Sequence, residues 1–596
     1  MTNSFETIQS DVIIIGAGGA GLRAAIAAAQ TDANITVSLI SKVYPMRSHT
    51  VAAEGGAAGV VQAHDSLDNH FDDTVSGGDW LCDQAVVDFF TQRATAEMVQ
   101  LEHWGCPWTR KEDGSAAVRR FGGMKIERTW FAADKTGFHI LHTLFQTSLK
   151  FPNIHRFDEF YCTDLIVDNG RCQGVVAIEI KTGDIKVFLA KSVIIATGGA
   201  GRVFRFNTNG AIVTGDGMSM AYRSGVALRD MEFVQYHPTG LPGSGVLITE
   251  GCRGEGGTLH NKHGYRYLQD YGLGPETPIG KPENKYMELG PRDKLSQAFW
   301  HEQRKGNTVQ TPLGDAVMLD LTHLGEKKLA ERLPMICSLA RHYVGIDPVK
   351  QPIPVRPAVH YTMGGIRTDI DTATTLGGLY AVGECSSVGL HGANRLGSNS
   401  LAELLVFGKV AGEKAAEFAK AQTEIQAPSL LKIAADKVND LVTLRDQKGQ
   451  EKSSKLRQEM TVSMEKAFGI YRLADEMQEG LDKISELKER YKKVCVEDKS
   501  HVFNTEFLMT LELRASLDLA HTMAMSAVHR KESRGAHQRL DEFNRRDDDN
   551  YLKHTLVWFN GDDEPRLDYE KVNITRSQPK ERVYGAAGAK QKEEAK

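Results

Sequence analysis

The apolar pattern along the chain changes period several times, and each change marks a different kind of element. Val12-Ile-Ile-Ile15 is a continuous apolar run, as in a strand buried on both faces. It runs into Gly16-Ala-Gly-Gly-Ala-Gly21 and an Ala-rich stretch, so residues 11–30 are predicted as strand, glycine turn and helix. Ile35-Thr-Val-Ser-Leu-Ile40 predicts a second strand, and residues 85–150 read as helical and rich in aromatic side chains. Residues 160–197 alternate as strands around Asn169-Gly170 and Thr182-Gly183 turns and end in Val193-Ile-Ile-Ala-Thr-Gly-Gly-Ala-Gly201. A further short strand is Leu379-Tyr-Ala-Val-Gly-Glu384. From about residue 421 the period becomes helical. Met477, Leu481, Ile484, Leu487, Tyr491 and Val494 fall three or four apart, which predicts a three-helix bundle burying that stripe.

The first turn carries the G-x-G-x-x-G dinucleotide fingerprint in its strand–turn–helix setting. Gly16 allows the tight turn, Gly18 brings backbone amides to a pyrophosphate, and Gly21 lets the helix pack on the strand; Ala17, Gly19 and Ala20 complete the loop. The acid that usually ends the second strand and binds ribose is absent. Ser41-Lys42 stands there, able to hydrogen-bond the same ribose but weakening an NAD reading. The loop that follows, residues 42–56, contains Ser48, His49, Thr50, Glu54, Gly55 and Gly56. It offers one nucleophile, one acid and a glycine pair that lets backbone approach a planar ligand. Three strands ending in glycine, at Gly16, Gly198 and Gly383, predict one FAD site. For any one of them alone, an ordinary strand with a glycine turn is the alternative.

An α/β fold follows: a two-dinucleotide-binding-type FAD domain in two parts (1–241 and 355–420) with an inserted α+β capping domain (242–354). A C-terminal helical bundle domain (421–541) and a small C-terminal segment (542–596) complete it, with a disordered tail from Gly585. Lys+Arg 72 against Asp+Glu 77 gives a net charge of −5, which offers nothing to a nucleic acid. The cysteines are scattered without a C-x-x-C pair, arguing against disulfides, zinc, an iron–sulfur site in this chain or a dithiol flavin reductase. A reducing compartment and no metal site are expected. No apolar run reaches about 18 residues, so any membrane association is expected through a partner. Val12–Ile15 is too short for a signal peptide.

Four segments are suited to a dicarboxylate: Gln235–Gly240, Thr249–Gly256, Gly290–Asp293, and His360–Gly365 together with His391–Ser400. Arginine matches a carboxylate bidentately, so Arg253, Arg292 and Arg395 with His237 and His360 could surround a dianion. An arginine beside glycines also serves as a surface or interdomain ion pair, and that alternative stands for each.

Arg47-Ser-His-Thr50, His237-Pro-Thr-Gly240, Glu250-Gly-Cys-Arg253 and His391-Gly-Ala-Asn-Arg-Leu-Gly397 make the chain resemble a known family. It is the flavoprotein subunit of the succinate dehydrogenase/fumarate reductase family, most closely the quinol:fumarate reductases of bacterial anaerobic respiration. The resemblance runs from Gly16 to Arg530–His537. It implies that His49 is joined covalently to the flavin 8α-methyl, while Asp216, Tyr361, Glu384, Ser400 and Leu401 are flavin contacts. It implies that His237, Thr249, His360 and Arg395 grip the two carboxylates, that Arg292 is the proton donor, and that Glu250 and Arg253 reprotonate it. A guanidinium is a weak acid, so pure charge stabilisation by Arg292 is the alternative.

Succinate dehydrogenases tend to carry Gln where this chain has Glu54. A carboxylate beside the ring would lower the flavin potential and favour fumarate reduction. Within the resemblance, succinate dehydrogenase and L-aspartate oxidase are the other enzymes to weigh, and His49 argues against the oxidase; a flavin-binding module without turnover is the reading from another class. The implied partners are an iron–sulfur subunit, small membrane anchor subunits carrying the quinone site, and an assembly factor for flavin attachment. The implied place is the cytoplasmic face of the inner membrane, held through those subunits.

Overall fold

The computed structural model describes residues 5–283, 287–425, 427–561 and 563–582. The tail expected to be disordered from Gly585 lies outside them. Strand β1 (Glu6–Ile15) enters the turn at Gly16, helix α1 (Gly19–Thr31) follows, and β2 (Val37–Ser41) pairs parallel to β1. Strands β3 (Ile154–Asp158), β4 (Phe160–Asp168), β5 (Arg171–Glu179) and β6 (Ile185–Ile195) complete a sheet ordered β3-β2-β1-β6-β5-β4. Its central strands are apolar throughout because both faces are covered: Val12, Ile13 and Ile14 are fully buried, Ile13 in one core and Val12 and Ile14 in the other.

Residues 105–135, expected to be helical, are not. Helices Gln84–His103 and Thr136–Ser148 flank a run of turns and two-residue strands. Gly105, Gly114 and Gly123 there adopt positive φ, which a helix cannot accommodate.

Helix α2 (Asp216–Arg223) leads toward the inserted unit. Its strands β7 (Val234–Gly240) and β8 (Thr258–His260), helix α3 (Arg292–Arg304), and strands β9 (Gly314–Asp320) and β10 (Ile353–Thr362) build an antiparallel sheet ordered β7-β10-β9-β8. The unit has its own apolar core, including Leu241, Leu295, Leu319 and Val355. Register shifts interrupt the β7–β10 pairing at Gln235/Tyr236 and between His237 and Gly240. Such bulges re-aim side chains: the first leaves His360 as the extra residue of β10, and the second falls on β7 just after His237.

The chain then returns to the first sheet. Strand β11 (Leu379–Ala381) runs parallel to the last three residues of β6, beyond the stretch that pairs with β5. The carboxyl ends of β1, β2, β6 and β11 therefore converge on one crevice, the usual place for a ligand in an open α/β sheet. Helix α4 (Asn399–Lys420) starts at that crevice and crosses α1 closely. A Cβ at Gly412 would lie 2.2 Å from the Ala24 carbonyl oxygen, so only glycine allows the crossing.

Of the C-terminal helices, α5 (Ala427–Asp446) packs on β4 and β5, sharing a core with Tyr161 and Val176. Helices α6 (Ser453–Ala467), α7 (Ala474–Tyr491) and α8 (Thr505–His529) form a three-helix bundle. The stripe Met477, Leu481, Ile484 and Leu487 is buried in it, and its core runs on into that of the first sheet. The hairpin β12 (Lys553–Trp558) and β13 (Arg566–Lys571) extends a third sheet through Leu228–Arg229.

Under this hairpin lies an ionic knot. Arg530 pairs with Glu232 and Glu532, Arg534 with Glu532 and Asp548, and His554 with Asp230 at 2.6 Å and Asp83 at 3.4 Å. Among the described residues no helix is long and apolar enough to cross a membrane.

Candidate active site

A cavity opens at the crevice. It is lined from the glycine turn by Gly16, Ala17, Gly18, Gly19 and Ala20, and from the following loop by Ser41, Lys42, Ser48, His49, Thr50, Glu54, Gly55 and Gly56. Asp216, Thr249, Tyr361, Glu384, Ser400 and Leu401 complete its wall, and His237, Glu250, Arg292, His360 and Arg395 stand in the same space. Of the residues singled out in the sequence, Gly21 and Arg253 alone stand behind the wall. A Cβ at Gly21 would strike the Gly16 carbonyl oxygen at 1.8 Å, so Gly21 is fixed by packing.

The wall fits a dinucleotide. At Gly18 an added Cβ would meet nothing closer than Thr50 Oγ1 at 3.4 Å, and at Gly198 (φ +77°) nothing within 4 Å, so space remains along both turns. Buried polar atoms facing the cavity, Ser48 Oγ, Glu54 Oε2 and Thr197 Oγ1, have no hydrogen-bond partner in the protein. Buried polar atoms rarely stay unpaired, so they are groups suited to a bound partner. The acid missing from the end of β2 arrives from elsewhere. Asp216, the first residue of α2, accepts from Lys42 Nζ at 2.6 Å, from Tyr161 Oη at 3.1 Å and from Thr214 Oγ1 at 2.9 Å.

The loop after β2 is tied down on both sides. The Gly19 amide donates to Thr50 Oγ1, the Gly137 amide to the Ala53 carbonyl at 2.7 Å, and the Arg119 guanidinium to the Gly55 carbonyl at 3.1 Å. The glycine pair answers to this packing. A Cβ at Gly55 would enter the Phe121 ring and one at Gly56 would meet the Trp130 carbonyl oxygen at 2.3 Å, so protein contacts alone require glycine at both. His49 points into the cavity with its Nε2 3.1 Å from Asn209 Nδ2 and its Nδ1 3.4 Å from the Gly210 amide. Burial pushes its pKa down to about 4, which leaves a neutral imidazole, the nucleophilic form.

Burial, then the charge of Asp134, pushes the Glu54 carboxyl well above the usual range, against the Thr249 amide and Arg119. That shift favours the protonated acid over the carboxylate expected from sequence. Glu384 is raised to about 7, by burial against the Thr362 amide and Arg395.

At the far end the dicarboxylate residues converge. Arg292, the first residue of α3, donates from Nε to Glu250 Oε2 at 2.9 Å and from Nη1 to Gln235 Oε1 at 3.0 Å. Arg395 donates to the same Gln235 oxygen at 3.2 Å. Gln235 is held in turn by donating to Asn394 Oδ1 and the Arg395 carbonyl. Glu250 accepts from the Gly122 amide at 2.6 Å, and Arg253 Nη2 lies 3.9 Å from its other oxygen. Burial acts to raise the Glu250 pKa, but Arg292, Arg253 and that amide outweigh it and keep the carboxylate ionised. His237 and His360 lie with ring centres 5.0 Å apart. Burial, then Arg292, holds both well below the usual imidazole range, so both are neutral. The Thr239 amide donates to His237 Nδ1, which leaves the proton of that ring on Nε2.

Gln235 opened one of the segments singled out from the sequence but was given no role, and Asn209 and Thr208, whose hydroxyl meets His360 Nδ1 at 2.8 Å, were not named as site residues. Gln235 had a signal: two residues before His237 on one strand puts both on the same face. Asn209 and Thr208 sit in an irregular segment with no periodicity to read.

The description "FAD binding domain" matches residues 11–401 and "Fumarate reductase flavoprotein C-term" matches residues 457–584. The chain is 66% identical over 581 residues to the fumarate reductase flavoprotein subunit of a Serratia species, covering 97% of each. It is 41% identical to the succinate dehydrogenase flavoprotein subunit of Rickettsia conorii, covering 96% of this chain and 97% of that one. A variant E. coli quinol fumarate reductase chain of known structure superposes with a TM-score of 0.96 at 64% identity, covering 98% of this chain and all of that one. The fold and site are those of an FAD-dependent oxidoreductase. The chain belongs to the fumarate reductase flavoprotein subunit family.

Proposed function

We propose that this chain is the catalytic flavoprotein subunit of a quinol:fumarate reductase, reducing fumarate to succinate in anaerobic respiration. One observation carries the reading. Arg292 and Arg395 share Gln235 as acceptor at one end of the cavity, with two neutral histidines beside them and the dinucleotide cradle at the other end. Reduced FAD, when bound, supplies the hydride for one alkene carbon. Arg395, His237, His360 and Thr249 hold the two carboxylates. Their hydrogen bonds strengthen as charge builds on the far carboxylate, each worth about 10²–10³ in rate. Arg292 delivers a proton to the other carbon, and Glu250 with Arg253 restores it. His49 is the attachment point for the flavin 8α-methyl. Its substitution on the ring withdraws electrons and suits a couple as positive as fumarate/succinate. Asp216, Glu384, Ser400 and Leu401 hold the flavin.

The reverse oxidation uses the same residues. The higher identity to fumarate reductase subunits favours the reductive direction. Electrons enter through an iron–sulfur subunit, held with quinone-binding anchor subunits at the cytoplasmic face of the inner membrane, and an assembly factor assists flavin attachment. The test is Arg292→Lys beside Arg292→Gln in the assembled complex. Near-total loss of fumarate reduction in both, with dicarboxylate binding kept, supports a proton donor. Substantial turnover in Arg292→Lys assigns it charge stabilisation only. Acid-precipitated protein should keep its yellow colour, and His49→Ser should release it.

A further inference from the structure

Arg395 has unusual company for a buried cation. Its guanidinium carbon lies 4.2 Å from the centre of the Tyr361 ring, its only side-chain acceptor among the described residues is the neutral Gln235, and its Nε has no hydrogen-bond partner there. No carboxylate touches it among the described ion pairs. Behind the ring, the Tyr361 hydroxyl donates to Glu403 Oε2 at 2.9 Å. His391 Nε2 meets the same oxygen at 2.9 Å, its ring standing edge-on to Tyr361 at 5.3 Å and 84°. Glu403 sits near the start of α4, and all four side chains are buried.

The chemistry follows from that order of contacts. A phenol that donates a hydrogen bond to a carboxylate has a more electron-rich ring, which attracts a cation on its face more strongly. A carboxylate bonded directly to Arg395 would compete with the substrate for the same N–H groups. Placed one ring away, the carboxylate steadies the cation and leaves its N–H edge to the cavity. We propose that Glu403 and His391 are positioning residues which, through Tyr361, hold and steady Arg395 as the anchor for one substrate carboxylate. This rests on Arg395 being that anchor. Burial and Arg292 push the Arg395 pKa down to about 10.

The experiment compares Glu403→Gln, Tyr361→Phe and the double variant in the assembled complex, with fumarate as substrate and a reduced viologen dye as electron donor. Glu403→Gln and Tyr361→Phe should each raise the KM for fumarate about fivefold to tenfold with a smaller fall in kcat. The double variant should be no worse than the worse single one, because both act through one ring. The alkaline limb of the KM profile should move to lower pH, and Glu403→Asp should recover part of the loss. A KM within twofold of the parent in both single variants, or additive effects in the double, overturns the proposal. So does a loss confined to flavin content or folding while the loaded fraction keeps its KM. Arg395→Gln separates the two claims: if it binds fumarate normally, the anchor reading itself fails, whereas a large effect there with none in Glu403→Gln sinks only the network.

Discussion

The chamber around Arg292 and the knot beneath the C-terminal hairpin bury similar side chains in opposite company. In the knot every cation meets a carboxylate: Arg530 has Glu232 and Glu532, Arg534 has Glu532 and Asp548, and His554 has Asp230. In the chamber Arg253, Arg292 and Arg395 face one carboxylate held ionised, Glu250, and Arg253 Nε and Nη2 and Arg395 Nε lack hydrogen-bond partners among the described residues. The histidines record the difference. Burial acts to lower His554, but Asp230 and Asp83 raise it to about 9, whereas His237 and His360 are driven down by burial and Arg292. A neutralised cluster joins pieces of chain. An unneutralised one is a receptor for anions, kept at some expense in stability.

That contrast can be broken most sharply at Arg395. Arg395→Gln should lower fumarate turnover about 10²–10³-fold while thermal unfolding stays level or moves up, because a cation leaves a set already in excess. A large fall in melting temperature would show that the chamber is a structural cluster after all. In the knot the effects should exchange places. Glu532→Gln leaves two buried guanidinium groups short of charge and should cost about 3–5 kcal/mol of stability, read by denaturant titration, with turnover per folded flavin unchanged.

Third in size is a pH signature of opposite sign in the two clusters. The pKa of His554 is raised on folding, so its stabilisation is whole below about 6.5 and disappears as pH rises through about 9. The parent should exceed His554→Gln by about 3 kcal/mol at pH 6, and the gap should close by pH 9.5. His237 and His360 have depressed values, so they weaken the fold as pH falls below about 6.5. The smallest effect is expected at Glu54. Because burial favours its protonated form, Glu54→Gln exchanges one uncharged group for another, and the ratio of fumarate reduction to succinate oxidation should change less than about threefold. A large swing toward succinate oxidation would restore the charged reading.

What could be read in the sequence was whatever depends on local spacing. The buried parallel strands, the turn at Gly16 and the stripe on α7 follow from periods of two and 3.6 and from where glycine falls. The chemistry of the dicarboxylate end was visible as residue types. Its wiring was not, since Gln235 joins Arg292 to Arg395 across 57 and 160 positions. Protonation was the least legible. Glu54 and Glu250 are the same side chain in one cavity, and burial pushes the pKa of the first up while two arginines hold that of the second down. Residues 105–135 were read as helix, whereas three glycines at positive φ impose turns there.

The wall of the cavity is drawn from Ile15 at one extreme to Leu404 at the other. A ribosome delivers those positions in order, at about 5–20 residues per second, so roughly 20–80 s separate the glycine turn from the helix that completes the enclosure. Through that interval α1 lacks α4, and Ala24 and Ala28, later buried, stand uncovered. Cofactor capture is therefore a late step in the life of the nascent chain, and a truncation before Asn399 should release a product that neither colours nor escapes aggregation.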